Sequence, residues 1–293
     1  MLRISNAPTV VSQVFAGAAV GCCALPTGTT VPLGALVLVL VGVPLSYLAG
    51  MVLNDVCDAR VDATERPDRP IPSGRISLFV ARFVGGSMLL IGISMLAVAS
   101  PATLPWAIIL GVCILAYDML HTLSAASFVL MAACRGLVPA IAAFAISSNT
   151  DWSILAWTAS AAFAFIAAVS VAARNEMIGF GVIARVAAWS LPAAACAPLG
   201  MWGALAIDPG GALLSLMAVG ATFLAAYLVV VGIRTASKRD TPRAVPLAVA
   251  MWIGAMPAID AATCFILGSP AFGVLCLGML VLSRVLRPRF AGS

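Results

Sequence analysis

A polytopic, all-α membrane bundle follows from three features of this chain. Hydrophobic residues make up 62% of its 293 positions and charged residues 9%, where a soluble domain carries roughly 25% charged residues. The mean hydropathy is +1.11. The apolar residues come in long uncharged runs rather than short alternating segments, which selects helices over a barrel. Too few polar groups exist to cover a soluble globule, and no nucleic-acid partner is expected.

Segments of the length and composition that span a bilayer fall at 9–25, 31–53, 77–99, 103–120, 124–147, 152–173, 182–206, 211–233, 245–267 and 270–286. The last two are short enough that nine spans and a re-entrant piece compete with ten spans. No linker or composition shift divides the chain, so residues 1–293 read as one integral membrane domain.

The charges orient the bundle. With the loop 54–76 in the cytoplasm, both termini and the loops near 121, 174–181 and 234–244 are cytoplasmic too. The opposite turns, at 26–30, 100–102, 148–151, 207–210 and 268–269, carry Asp151 and Asp208 and no Lys or Arg. This is the positive-inside pattern, and an even span count keeps Arg284, Arg287 and Arg289 on the inner face. A bacterial inner membrane is the expected location. Arg3 and the run 9–25 resemble a signal peptide, but the topology requires that helix to be kept. The stretch 234–243, with Arg234, Lys238, Arg239 and Arg243, reads as an anchor on anionic lipid headgroups. The eight cysteines form no CxxC pair and lie mostly in apolar runs. They read as packing residues, not a disulfide or zinc scaffold.

The second run ends in 54-NDVCDARVDATERPDRPIPSGR-75. Asp55, Asp58, Asp62, Glu65 and Asp68 are part of a total of only 11 acidic residues, and Arg60, Arg66, Arg69 and Arg75 stand among them. If the helix continues past the membrane surface, Asp55, Asp58 and Asp62 share a face, because residues three, four and seven apart align. Carboxylates so placed repel one another unless a cation joins them. All-oxygen ligands that leave room for water suit Mg²⁺, which commonly bridges carboxylates to substrate phosphates. Arginines can clamp the same phosphates with paired hydrogen bonds. Three prolines and a glycine make 67–75 a loop lying over the site. A solvated loop with internal charge pairs such as Asp58–Arg66 is the plainer alternative.

The pattern N-D-x-x-D-x-x-x-D, here Asn54, Asp55, Asp58 and Asp62, resembles the first aspartate-rich motif of the UbiA-type intramembrane prenyltransferases. The following Arg66, Pro67, Arg69, Pro70, Ile71, Pro72, Ser73, Gly74 and Arg75 resemble the same family, with the detail nearest its EboC-like branch. The likeness is close over about 25 residues and loose over the rest. It implies a UbiA-like bundle whose central apolar cavity is capped on the cytoplasmic side. It also implies a reaction in which a Mg²⁺-bound isoprenyl diphosphate ionises and an acceptor captures the allylic cation. A dry apolar cavity protects such a cation from water.

The resemblance distributes roles. Asp55, Asp58 and Asp62 hold metal, and Asn54, Arg66, Arg69, Arg75 and Arg174 contact the diphosphate. The family's second acidic element falls at 170-SVAARNEMIGFG-181, where Glu176 is the only acid and Asn175 stands beside it. Asn175 and Glu176 can supply oxygen ligands, although the two-motif mechanism is weakened. Asp118 and His121, at the end of the fourth run, are candidates for catalysis and for diphosphate contact; family members often carry Lys or Arg there. Arg135 lies deep in an apolar run, where insertion costs about 2.5–3.5 kcal/mol unless a partner or polar cavity receives it. Bound diphosphate and Asp118 are its candidate partners, beside a purely structural ion pair. Asp260, in the ninth run, reads as a hydrogen-bond partner of a neighbouring helix, with shaping of the acceptor end of the cavity as the alternative.

The sequence thus points to a prenyltransferase acting on an aromatic, quinone-precursor or lipid acceptor. The rival is a non-catalytic binder or carrier of a polyprenyl metabolite. A solute transporter is weaker, because intramembrane charge is limited to Arg135 and Asp260 and no repeat is visible.

Overall fold

The computed structural model describes residues 6–121, 127–174, 182–237 and 244–290, and the described residues contain helices and turns without strands. The helices are α1 (Ala7–Cys23), α2 (Leu33–Cys57), α3 (Ala59–Glu65), α4 (Leu78–Ala99), α5 (Leu104–Leu120), α6 (Ser127–Ile146), α7 (Trp152–Arg174), α8 (Val182–Ala195), α9 (Ala197–Leu205), α10 (Ala212–Ala236), α11 (Ala244–Ile253), α12 (Met256–Ile266) and α13 (Pro270–Phe290). Among them, seven segments are long and apolar enough to cross a membrane, flanked by the shorter apolar helices Ala7–Cys23 and Pro270–Leu286. The protein is an integral, multi-pass membrane protein.

Two expected spans are each broken in two. The run 182–206 divides at Cys196, with Pro192 inside α8 and Pro198 in the first turn of α9. The run 245–267 divides at Gly254 and Ala255, ahead of Pro257 in the first turn of α12. Proline lacks the N–H an inner turn needs and crowds the preceding turn, yet fits the first turn of a new helix. Sequence hydropathy alone does not register such breaks. The second run also extends four residues beyond its expected end, to Cys57, which places Asn54 and Asp55 inside α2.

Close packing needs small residues where helices meet in lipid, because apolar tails compete equally for apolar surface. Gly42 on α2 faces Gly92 on α4, and a Cβ on Gly92 would strike the Ser46 hydroxyl and the Gly42 carbonyl. Gly17 and Gly21, four apart on α1, lie against Pro139, Ala142, Ala143 and Ile146 of α6. Helix α1 is buried along nearly its whole length and packs against α2, α6, α12 and α13. Phe79, Phe83, Leu90, Val98, Val112 and Phe223 are exposed large apolar residues on the rim helices, as a lipid-facing surface requires. Far from the acidic stretch, Trp106, Phe144 and Trp152 form an aromatic cluster with ring centroids 5.3–6.2 Å apart. Amphipathic rings favour the membrane–water boundary. All eight cysteines are free.

Candidate active site

The site grows from the end of α2. The Asp58 N–H donates to the Asn54 carbonyl and the Asp62 N–H to the Asp58 carbonyl, both at 2.9 Å. The helical path therefore runs across the joint between α2 and α3, and residues seven apart face the same way. Asp55 and Asp62 accordingly meet one guanidinium. Arg69 Nη1 lies 2.6 Å from Asp62 Oδ2 and 3.4 Å from Asp55 Oδ1. Asp62 is buried at 5% exposure.

Arg69 reaches back because residues 66–76 fold into successive turns. The Ser73 N–H donates to the Arg69 carbonyl at 2.9 Å and the Ile76 N–H to the Pro70 carbonyl at 3.0 Å. Gly74 takes φ 75°, a left-handed conformation that favours glycine. Arg75 Nε donates to Ser73 Oγ at 3.1 Å, and Nη2 donates to the Asp68 carbonyl. Ser77 caps α4 by accepting from the Val80 N–H at 3.2 Å. The loop thus lies over the acidic face, as its prolines suggested. Asp55, Asp62, Arg69, Pro70, Ile71 and Pro72 line a recess of about 160 Å³.

Asp58 departs from the other two carboxylates. Its Oδ1 lies 2.9 Å from His121 Nε2 at the end of α5. The His121 ring stacks on Tyr117 at 5.4 Å. Its Nδ1 is 3.1 Å from the Asp118 carbonyl oxygen, and the Asn54 amide nitrogen is 3.4 Å from Nε2. Asp118 is buried at 4% exposure, with its Oδ2 lacking a partner. So α2 and α5 bring Asn54, Asp58, Asp118 and His121 into one cluster, beside the Asp55–Arg69–Asp62 bridge.

Chemically, the two halves offer oxygen donors around a shared positive centre, with the Arg69 guanidinium and the His121 ring as hydrogen-bonding groups. Because one arginine nitrogen serves two carboxylates, Asp55 and Asp62 are near enough to share a cation. Their oxygen-only chemistry fits Mg²⁺. Among the described residues no three His, Cys, Asp or Glu side chains are placed to hold one metal ion together; Asp58 lies against His121 instead.

The other expected residues are more scattered. Arg66 terminates α3 and is exposed. Arg174 ends α7, while Asn175, Glu176 and the 238–243 part of the basic stretch lie outside the described residues. Arg135 contacts neither Asp118 nor the loop. Its Nη2 donates to Thr9 Oγ1 at 2.7 Å and lies 3.3 Å from Met256 Sδ. Asp260 Oδ2 accepts from Ser12 Oγ at 2.6 Å, the helix-to-helix bond expected of it. A partly open pocket lies between α6, α7, α9 and α12, enclosing about 400 Å³ of space that includes open solvent, with Trp157, Phe165, Met201, Ile259 and Asp260 among its walls. It shares no lining residue with the recess at the loop. Sequence reasoning passed over Thr9, Ser12 and Gln13. Their signal was there: three polar residues at helical spacing in an otherwise apolar run.

Comparison with known proteins places this architecture. The model of the UbiA prenyltransferase family matches residues 14–252. The chain belongs to that family. A UbiA homologue from Aeropyrum pernix, solved in the apo form, superposes with TM-score 0.70 at 17% identity, covering 89% of this chain and 98% of that one. A UbiA homologue from Archaeoglobus fulgidus, bound to GPP and Mg²⁺, gives TM-score 0.54 at 15% identity over 87% and 96% of the two chains. Among curated relatives, the digeranylgeranylglyceryl phosphate synthase of Methanoculleus marisnigri is 39% identical over 93 residues, 32% of this chain and 33% of that one. The enzyme of the same name from Methanoregula boonei is 37% identical over 107 residues, 36% and 38%. The chain therefore matches only about a third of these relatives' length.

Proposed function

We propose that this UbiA-family protein transfers an isoprenyl group from a Mg²⁺-bound prenyl diphosphate to a lipid-type acceptor. The observation that carries the reading is the Asp55–Arg69–Asp62 bridge beside the Asp58–His121 pair. It is a cation-binding acidic face with anion-binding donors on its border. The Mg²⁺ on a homologous fold and the relatives' names support the metal and the acceptor class.

When bound, Mg²⁺ supplies Lewis-acid stabilisation of the charge growing on the leaving diphosphate. Asp55, Asp58 and Asp62 would hold it, with Asn175 and Glu176 as further oxygen donors. Arg69 and His121 donate to diphosphate oxygens, which frees the carboxylates they now occupy. Arg66, Arg75 and Arg174 are further candidate phosphate donors, and Asn54 orients His121 and Asp118. The carbon–oxygen bond of the allylic diphosphate breaks, and its electron pair leaves with pyrophosphate. The acceptor nucleophile forms the new bond to carbon and gives up its proton, for which Asp118 is the base at hand. The apolar bundle receives the prenyl tail and excludes water from the cation. The mouth faces the cytoplasm, following the distribution of Lys and Arg.

The test is pyrophosphate release by protein in nanodiscs, given C10, C15 and C20 prenyl diphosphates, a cell extract as acceptor source, and Mg²⁺. The expected result is Mg²⁺-dependent release that an Asp58→Ala/Asp62→Ala variant loses. One observation favours the alternative of a prenyl-lipid carrier: the second acidic element is reduced to Glu176. Donor binding without release from any donor would select that alternative.

A further inference from the structure

Arg135 sits eight residues into α6, away from the acidic mouth. Helices α1 and α6 run parallel along the seam where Gly17 meets Pro139 and Gly21 meets Ala143. One turn earlier on each helix, that register sets Gln13 level with Arg135. Gln13 is fully buried, and neither its Nε2 nor its Oε1 has a partner. Arg135 Nη1 is likewise buried and without a partner. Orphaned polar atoms are costly in an interior, and charged side chains within a membrane mark ligand or ion sites.

The charge around Arg135 is not closed by the protein. Its Nη2 is engaged by the neutral Thr9 hydroxyl and Met256 sulfur. The Tyr47 phenol and Asp260 face its charge, and Asp260 is itself bonded to the Ser12 hydroxyl. Among the described residues the ion pairs involve Arg69 and His121, and none involves Arg135. The pocket adjoins this group: Met256, which touches Arg135, is in its wall, as are Pro139, one turn beyond Arg135, and Asp260. The remaining wall is chiefly apolar, with Trp157, Phe165 and Ile259.

We propose that Arg135 and Gln13 form a headgroup site for the anionic oxygen group, carboxylate or phosphate, of an amphipathic ligand whose apolar body lies along this pocket. The unused atoms are one guanidinium nitrogen and one amide nitrogen, each with two N–H donors, and one amide oxygen. An anionic oxygen accepts from both donors, and the planar guanidinium suits carboxylate and phosphate geometry. A neutral hydroxyl would leave the buried cation unpaired. The site is the acceptor's, a designation that rests on the prenyl-transfer reading; the anion preference does not. Thr9 is a positioning residue that fixes the guanidinium through Nη2.

The experiment uses bromine-labelled twelve-carbon carboxylate, phosphate monoester and alcohol, with protein in zwitterionic nanodiscs. The readout is the quenching of Trp157, taken as the difference from a Trp157→Phe variant. At least one of the two anions is expected to quench at about tenfold lower concentration than the alcohol, and their order tells carboxylate from phosphate. Arg135→Gln removes the gap, and Gln13→Leu narrows it. If Arg135→Gln does not elute as a monodisperse protein, Gln13→Leu and the charge-retaining Arg135→Lys carry the comparison. Displacement by inorganic phosphate would mark a site for free phosphate and overturn the amphiphile. Equal quenching by all three probes, an anion preference that survives Arg135→Gln, or no Trp157 quenching at all would each overturn the proposal, the last leaving water as the occupant. Binding is read without turnover, so failure of the prenyltransferase assay leaves this result standing, and the reverse also holds.

Discussion

Replacing Asp62 tests the metal-holding face most directly. Its carboxylate is 5% exposed and holds Arg69 at 2.6 Å. In Asp62→Ala, Arg69 keeps only its 3.4 Å contact to Asp55. A hydrogen bond to a charged group contributes about 1.5–3 kcal/mol. The Arg69 side chain remains 26% exposed, so solvent screening places the stability loss near the lower end, about 1.5 kcal/mol. Turnover should fall much further. A single group stabilising transition-state charge contributes about 2.7–4 kcal/mol, which corresponds to about 100- to 1000-fold in rate. Asp62→Asn separates the two effects, because the amide oxygen still accepts from Arg69 while the charge is gone. Thermal melting should show Asp62→Asn to be more stable than Asp62→Ala. Pyrophosphate release at saturating Mg²⁺ should be lost about equally in both. Near-normal release by Asp62→Asn would refute the metal-holding role, since an amide then does the carboxylate's work.

Three further outcomes follow from the same geometry. His121→Phe keeps the stack on Tyr117 but removes the 2.9 Å contact to Asp58; release should drop about tenfold, the equivalent of about 1.4 kcal/mol, and an unchanged rate would remove His121 from the site. Chelating Mg²⁺ with EDTA should bring release to background and re-addition should restore it, whereas metal-independent release would count against the whole acidic face. Gly92→Ala puts a methyl into the Ser46 hydroxyl and the Gly42 carbonyl, so it should destabilise by about 1–3 kcal/mol. Ser46→Ala in the same chain should recover part of that loss, and a melting temperature unaffected by Gly92→Ala would show the α2–α4 seam to be looser than described.

What the sequence determined by itself was whatever depends on composition and short spacing. Long uncharged runs dictate membrane helices, because unpaired backbone groups are intolerable in lipid. The spacing of Asp55 and Asp62 dictates a shared face, because two helical turns return a residue to the same side. The prolines of 67–72 dictate a loop. Tertiary structure decided which charges meet. No spacing rule indicates that Arg69 folds back onto Asp55 and Asp62, that Asp58 turns to His121 on a helix more than sixty positions away, or that Arg135 finds Thr9 rather than Asp118. Such pairings depend on which helices are neighbours. Neighbours in lipid are set by close contacts such as Gly17 on Pro139 and Gly42 on Gly92, which hydropathy does not encode. The polar face of α1, visible in its spacing, acquired partners only once α6 and α12 were packed against it. A buried amide such as Gln13 acquires meaning from the groups that enclose it, and the chain brings those together from positions far apart in sequence.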